Sequence, residues 1–517
     1  MTSRVVPIGI VLVAVLVAAS FGQGVPRSHA QDLENGKALY DKWCAGCHGD
    51  TGAGDGEAAA YMLPRPRDFT RGLYQIRTTA SGELPTDADL RAVIDEGMPG
   101  TAMPGWKTRL SSGDRDDVIA YIKSFSAFFE GASPQPMAFG KAPGRSDEGL
   151  AEGARVYREM ECFKCHGDAG RGDGPSAPTM TDDWDHPIRP ADLTRPWTFN
   201  GGGAVADIYR RMRTGLDATP MPSFSDAIDA AVVTEEQLWR VAQFVRSLGP
   251  EQPEVREVIR AVRLSGAMPA DPTDSLWGSI EPQYIPMVGQ IVRAPRTFAP
   301  AVDGLWVRAV HDGTTLAMLV TWSDPSASPD AAWQEWLDRL SAVMQDADGV
   351  MAAVQGPDRL AIQFPARPSE GMQRPYFLGG DSRRPVYSWR WSSTPDQLTV
   401  GTASGLDQFV AGASEVAHVA AFDAGQWSIQ ITRSLAPADA TASPTFAEGE
   451  AIPIAFQVAD GSSGETGIRG SVSAWYAIYL DVPTPPAVFV APVLAALFTA
   501  GLGILLVVRA QRREGGA

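Results

Sequence analysis

All four cysteines of this 517-residue chain fall in two copies of one five-residue pattern, Cys44-Ala-Gly-Cys47-His48 and Cys162-Phe-Lys-Cys165-His166. No thiol is left over for a disulfide, so any covalent staple in the chain involves these two clusters. Each cluster belongs to a longer repeat. Gly36-Lys-Ala-Leu-Tyr40 leads into the first and Gly153-Ala-Arg-Val-Tyr157 into the second. Downstream, Pro66-Arg-Asp-Phe-Thr70 matches Pro190-Ala-Asp-Leu-Thr194, and Met103-Pro104-Gly-Trp106 matches Met221-Pro222-Ser-Phe224. Each copy closes on a helical pattern, with Val118, Ile119, Ile122 and Phe125 on one face in the first and Leu238, Val241, Val245 and Leu248 in the second. The chain therefore contains one small domain twice.

A C-x-x-C-H pattern sets two thiols one helical turn apart, where both can add to the vinyl groups along one edge of a porphyrin while the histidine reaches the iron. C-x-x-C alone also suits zinc or thiol redox chemistry; two copies with the same downstream pattern favour covalent haem c at Cys44, Cys47, Cys162 and Cys165, with His48 and His166 as axial ligands. The sixth ligand is expected to be Met103 and Met221, each 55 positions after its histidine (103 − 48 and 221 − 166) and each followed by proline. Met98 and Met212 are the neighbouring competitors. A histidine–methionine pair fills both axial positions, which suits outer-sphere electron transfer rather than substrate activation.

The first residues follow a secretory plan: Arg4, an apolar run from Val5 to Phe21, and the small-residue site Ser28-His29-Ala30 before Gln31. Ala487 to Val508 is long enough to cross a bilayer and carries no charge, and Arg509, Arg512 and Arg513 follow it. Those arginines are expected to stay cytoplasmic, which leaves everything upstream on the outer face of the cytoplasmic membrane. The net charge of −17 argues against nucleic-acid binding and suits an acidic surface that steers a basic partner. Pro/Gly/Ser-rich stretches separate the two copies and follow the second. From Trp277 to about Val482 the pattern changes to short alternating apolar runs, such as Leu316 to Trp322 and Trp427 to Arg433, interrupted by a helical stretch from Ala331 to Met344. That pattern predicts a β-sandwich.

The two copies resemble class I cytochrome c domains in their C-x-x-C-H, Met-Pro and closing helix, which implies a small helical fold around each haem. The third region is similar to the haem-binding gamma subunits of the ethylbenzene dehydrogenase, dimethylsulfide dehydrogenase and nitrite oxidoreductase group. The resemblance rests on Trp322-Ser-Asp-Pro325, Asp358 to Pro365, Pro375 to Asp381, Pro385-Val386, Trp389-Arg-Trp391, Gly425-Gln-Trp427 and Ser471 to Trp475. It implies a sandwich that would hold a b-type haem between methionine and lysine and serve a molybdenum enzyme. Here the two ligand positions read Gly379 and Gly470, and no lysine follows Lys164. Substitutes would have to come from His311, His418 or Met372, so the region is expected to be a docking module without a b-haem. Asp324, Asp358 and Asp381 look like turn residues.

The expected fold is thus two all-α cytochrome c domains, an all-β sandwich and one C-terminal transmembrane helix. Its divisions are a signal peptide at 1–30, cytochrome domains at 31–130 and 148–249, linkers at 131–147 and 250–274, the sandwich at 275–482, the membrane helix at 487–508 and a cytoplasmic tail at 509–517. The expected function is a membrane-anchored dihaem electron-transfer subunit with no catalytic residue of its own. Its partners would be a molybdopterin catalytic subunit, an iron-sulfur subunit and a downstream oxidase or cytochrome. A second reading makes the sandwich a substrate- or b-haem-binding unit from which the cytochrome domains drain electrons.

Overall fold

The computed structural model describes residues 32–345, 353–367, 374–376, 378–413, 415–438, 443–483 and 487–514. The signal-peptide residues and Met372 lie outside the described residues. In the first repeat, α1 (Leu33–Trp43), a single turn α2 (Ala45–His48), α3 (Asp87–Glu96) and α4 (Ser112–Lys123) follow one another. The second repeat has α5 (Asp147–Glu159), the turn α6 (Phe163–His166), α7 (Val205–Thr214), α8 (Ser225–Asp229) and α9 (Glu235–Ser247). Their starts are written in the sequence: Asp32 accepts from Glu34 and Asn35 at the head of α1, and Thr86, Ser111 and Thr234 each form a reciprocal capping box.

The first and last helices of each repeat cross at a glycine. A Cβ on Gly36 would lie 2.2 Å from the Asp117 carbonyl oxygen of α4, and one on Gly153 would lie 2.2 Å from that of Arg240 in α9. Only glycine lets the two backbones approach this closely. Behind each crossing lies a separate core, one around Tyr40, Leu90, Ile94, Trp106 and Ile119 and the other around Tyr157, Ile208, Tyr209, Leu238 and Trp239. The expected closing-helix faces are buried at Val118, Ile119 and Ile122 and at Leu238, Val241 and Val245.

The third region is built from β1 (Val258–Arg263), β2 (Gln283–Pro286), β3 (Val288–Gly289), β4 (Gly304–His311), β5 (Thr315–Ser323), the helix α10 (Ala331–Val343), β6 (Arg359–Pro365) and β7 (Val386–Ser393). It continues through β8 (Asp396–Ala403), β9 (Phe409–Ala411), β10 (Val416–Asp423), β11 (Gln426–Ser434), β12 (Ala451–Ala459), β13 (Ser471–Val472) and β14 (Tyr476–Leu480). The strand order is β10-β11-β5-β4-β1-β14-β12-β6-β7-β8-β9. β12 changes partner midway: Ala451–Ile454 pair with β14 and Ala455–Ala459 with β6. The sheet folds over at that point, and its halves meet in a core where Trp391 of β7 lies 4.9 Å from Trp427 of β11 and 6.1 Å from Trp322 of β5.

One expected boundary is corrected. The stretch 250–274 is not a linker throughout, because β1 lies inside it and pairs in parallel with both β4 and β14. Its six residues sit among proline-rich neighbours, so composition hides a strand that only long-range pairing reveals. The final helix α11 (Ala487–Glu514) includes a 23-residue segment, Val490–Arg512, that is long and apolar enough to cross a membrane and is not buried against the rest of the protein.

Candidate functional site

The two C-x-x-C-H clusters form the same local structure. Cys44 ends α1 and starts the α2 turn, with the amides of Cys47 and His48 donating to its carbonyl at 3.1 and 2.9 Å. Cys162 receives the amides of Cys165 and His166 at 3.3 and 3.0 Å. Both thiols of each pair thus lie on one turn. Burial, with a smaller effect of the neighbouring cysteine, pushes Cys44 up to about 12, and burial pushes Cys162 up to about 11. Such thiols stay protonated at neutral pH, unlike the low-pKa cysteines of thiol redox motifs.

Each histidine is held by a main-chain carbonyl. His48 Nδ1 lies 2.9 Å from the Arg67 carbonyl oxygen, and His166 Nδ1 lies 2.9 Å from that of Ala191. A carbonyl only accepts, so Nδ1 carries the proton. Burial lowers the pKa of both rings, keeping them neutral, and a neutral ring with its proton on Nδ1 offers Nε2 as a free lone pair. Phe69 stacks on His48 with ring centroids 4.6 Å apart.

The methionine segments match as well. Met98 N donates to the Met103 carbonyl at 3.0 Å and Leu216 N to that of Met221 at 3.1 Å; Met103 N donates to Thr101 Oγ1 and Met221 N to Thr219 Oγ1. Gly97 and Gly215, at φ +74° and +66°, turn the chain from α3 and α7 into these loops, and a Cβ there would meet the backbone of the Met-Pro segment at under 3.0 Å. In this register Met98 stands opposite Leu216. Met212 is buried in the helical core of its domain. Neither competitor has a methionine counterpart in the other repeat.

Around the second cluster lies a cavity of about 880 Å³, lined by Cys162, Cys165, His166 and Met221 together with Ile208 and Val241. The structure therefore brings the expected thiols, histidine and methionine of the second repeat to one cavity, which the competitor Met212 also lines. Thioether, imidazole, paired thiols and apolar walls are the donor set a covalently attached haem requires, and these residues fit it. In the first repeat, Cys44 and Met103 pack against one core cluster.

The third region differs. The hollow beside Gly470 measures about 110 Å³ and is lined by Arg359, Arg390 and Arg469. That is smaller than the ~150 Å³ that admits a benzene, so a b-haem does not fit there. His311 is buried at the end of β4, 3.7 Å from Glu448, and His418 lies 2.9 Å from Asp396 across the two halves of the sheet. Asp381 is the turn residue expected, half-buried, with its carboxyl held low by the amides of Arg384 and Arg383. Asp324 and Asp358 are not turn residues of that kind. With Asp460 they form a buried group of carboxylates within 4.8 Å of one another. Asp358 accepts from Ser328 N, Gly461 N and Trp427 Nε1, while Asp460 accepts from Arg189 of the second repeat. Local sequence gave no sign of this cluster, because its members are more than thirty residues apart and meet only when the sheet folds over.

Fold and site together define a multidomain c-type haem protein. Residues 31–122 match the family described as cytochrome c oxidase, cbb3-type, subunit III, and residues 150–249 match cytochrome c. Cytochrome c55X of Paracoccus denitrificans is 32% identical over 111 residues, 22% of this chain and 89% of that protein. The chain therefore belongs to the cytochrome c family. It is also 28% identical over 260 residues, 49% of its length, to a Haloferax mediterranei protein named for the haem subunit of a respiratory nitrate reductase, of which 84% is covered. Among solved structures, a chain of the reducing HAO-like protein complex of Kuenenia stuttgartiensis is 41% identical, with 43% of this chain and 98% of that chain covered and a TM-score of 0.40. The two cytochrome c domains, the β-sheet domain and the apolar C-terminal helix make this an electron-transfer protein with a candidate membrane span.

Proposed function

We propose that the chain is a membrane-anchored dihaem cytochrome c that relays electrons between a partner oxidoreductase and a respiratory chain. Cys44 and Cys47, and Cys162 and Cys165, would hold one haem each through thioether bonds. His48 with Met103, and His166 with Met221, would be the axial pairs. The observation that carries this reading is the duplicated geometry, in which a thiol pair, a neutral imidazole tied down at Nδ1 and a glycine-turned methionine loop recur in both repeats. Haem, when bound, supplies one-electron chemistry.

The protein's own residues orient the two sites and join them. The loop Pro99-Gly100-Thr101, between the two methionines of the first repeat, lines the cavity of the second. Arg77, 0% exposed, donates to the Thr214 carbonyl and pairs with Asp217 at 2.6 Å, fixing the repeats against each other. Adjoining sites with a shared wall shorten the path for electron transfer between them. The third region would be a docking module of the ethylbenzene dehydrogenase gamma type without its b-haem. A molybdopterin subunit with an iron-sulfur subunit would be the natural partner, and α11 would anchor the assembly with its haem domains on the outer face. Pyridine haemochrome assay of the purified chain, with native oxidised-state spectra of the parent protein and of the Met103→Ala and Met221→Ala variants, tests this. Two haems per chain and loss of one sulfur-to-iron absorption band per variant are expected; a single haem or unchanged bands would contradict it.

A further inference from the structure

The carbonyls that hold the two histidines share an upstream neighbour. Arg65-Pro66-Arg67 ends on the acceptor for His48, and Arg189-Pro190-Ala191 ends on the acceptor for His166. In both, an arginine stands two residues before the acceptor with a φ-locked proline between, so a shift at the arginine is passed on to the carbonyl. Both arginines leave their own domain and grip the third. Arg189 lies over Trp333 and Trp336 of α10, its guanidinium carbon 4.8 and 4.3 Å from the ring centroids. It also donates to buried Asp460 at 3.3 Å, to Ser462 at 3.2 Å and to Ser463 at 2.8 Å. Trp336 Nε1 returns a bond to the Ile188 carbonyl at 3.3 Å. Arg65 donates to the carbonyl of Val343, the last residue of α10.

The same helix and the residues just past it touch the matching 3₁₀ turns of both repeats, Ala59–Tyr61 and Ala177–Thr179. Arg339 donates to the carbonyls of Pro178 and Thr179, and Gln345 N donates to that of Ala60 at 2.8 Å. Leu63 of the first repeat and Ala177 of the second pack in one cluster with Trp333, Trp336, Leu337 and Leu340. Helix α10 thus sits as a wedge between two copies of one loop.

We propose that the third domain positions both iron-binding histidines, with Arg189 and Arg65 as the positioning residues and α10 as the common anchor. This rests on the haem reading above. A carbonyl held at 2.9 Å from Nδ1–H raises the basicity of Nε2, and a more basic imidazole favours the oxidised metal. Releasing the arginine lets the carbonyl drift and should raise the potential of that site alone. Simple loosening of the interface would act in the opposite direction, since admitted water stabilises the more highly charged oxidised form.

The test is potentiometric titration of the full chain, with haem content and histidine ligation read by absorption and EPR in each sample. Arg189→Lys, which keeps the positive charge at the cavity but loses the fork of bonds to Ser462 and Ser463, should shift one of the two potentials upward, by roughly a threefold change in the oxidised-to-reduced ratio, about 28 mV at 59 mV per decade. Arg65→Lys should shift the other. Lysine is used because a neutral residue would itself lower the potential by removing a cation that opposes the oxidised iron. With two haems bound, unchanged potentials in both variants, or a downward shift, would overturn the clamp while leaving the haem reading intact; wild-type protein without haem would overturn both.

Discussion

At the scale of single residues, the account turns on atoms that the repeat places twice. The candidate thiols, histidines and methionines could be named from the sequence because chemistry restricts which residue types can stand at such a site, and because the 55-residue spacing recurs. The histidine partners were not legible, since Arg67 and Ala191 contribute only a carbonyl and any side chain would serve. Replacing Met221 with alanine should remove the thioether from one site, lower its potential and leave the other unchanged, as spectroelectrochemistry would read; equal effects at both sites would contradict the assignment. Gly153→Val tests the crossing of α5 and α9. Its side chain would be driven into the Arg240 carbonyl, and overpacking of this kind costs about 1–3 kcal/mol or more. A thermal melt that matches the parent protein would show that the helices do not meet so closely.

At the scale of elements, apolar periodicity pointed to the closing helix of each repeat, and alternation to β5 and β11. What escaped was set by long-range pairing: β1 among prolines, and the carboxylates that β5, β6 and β12 bring together. Glu465 beside that cluster is pushed up to about 7, first by burial and then by the charge of Asp460. Burial raises Asp324 and Asp358 as well, with Asp460 adding to both. A carboxyl whose folded pKa lies above its unfolded value stabilises the fold fully below the unfolded value, and that contribution is lost as pH rises through the folded one. The β-domain should therefore lose stability between about pH 4.5 and pH 7, a window set by Glu465. Glu465→Gln should flatten that slope in thermal melts followed by circular dichroism. An unchanged slope in the variant would assign the effect elsewhere.

At the scale of the whole molecule, two cytochrome domains share a wall and a third domain holds both by α10. The sequence pointed to three domains and a terminal apolar helix; it gave no hint that an insert in the sandwich would touch both haem-type loops, because the wedge exists only in the assembled fold. Arg77→Met should weaken the joint between the repeats by leaving Asp217 without its cation, and limited proteolysis in the 131–147 stretch should then speed up several-fold; an unaltered rate would mean the joint is held by other contacts. Every functional statement depends on porphyrin being bonded to both cysteine pairs. Peptide mass spectrometry of the chain, made in a host that matures c-type cytochromes, measures this directly. The account predicts a haem adduct on the peptides containing Cys44 and Cys47 and on those containing Cys162 and Cys165, and free thiols on either pair would contradict it.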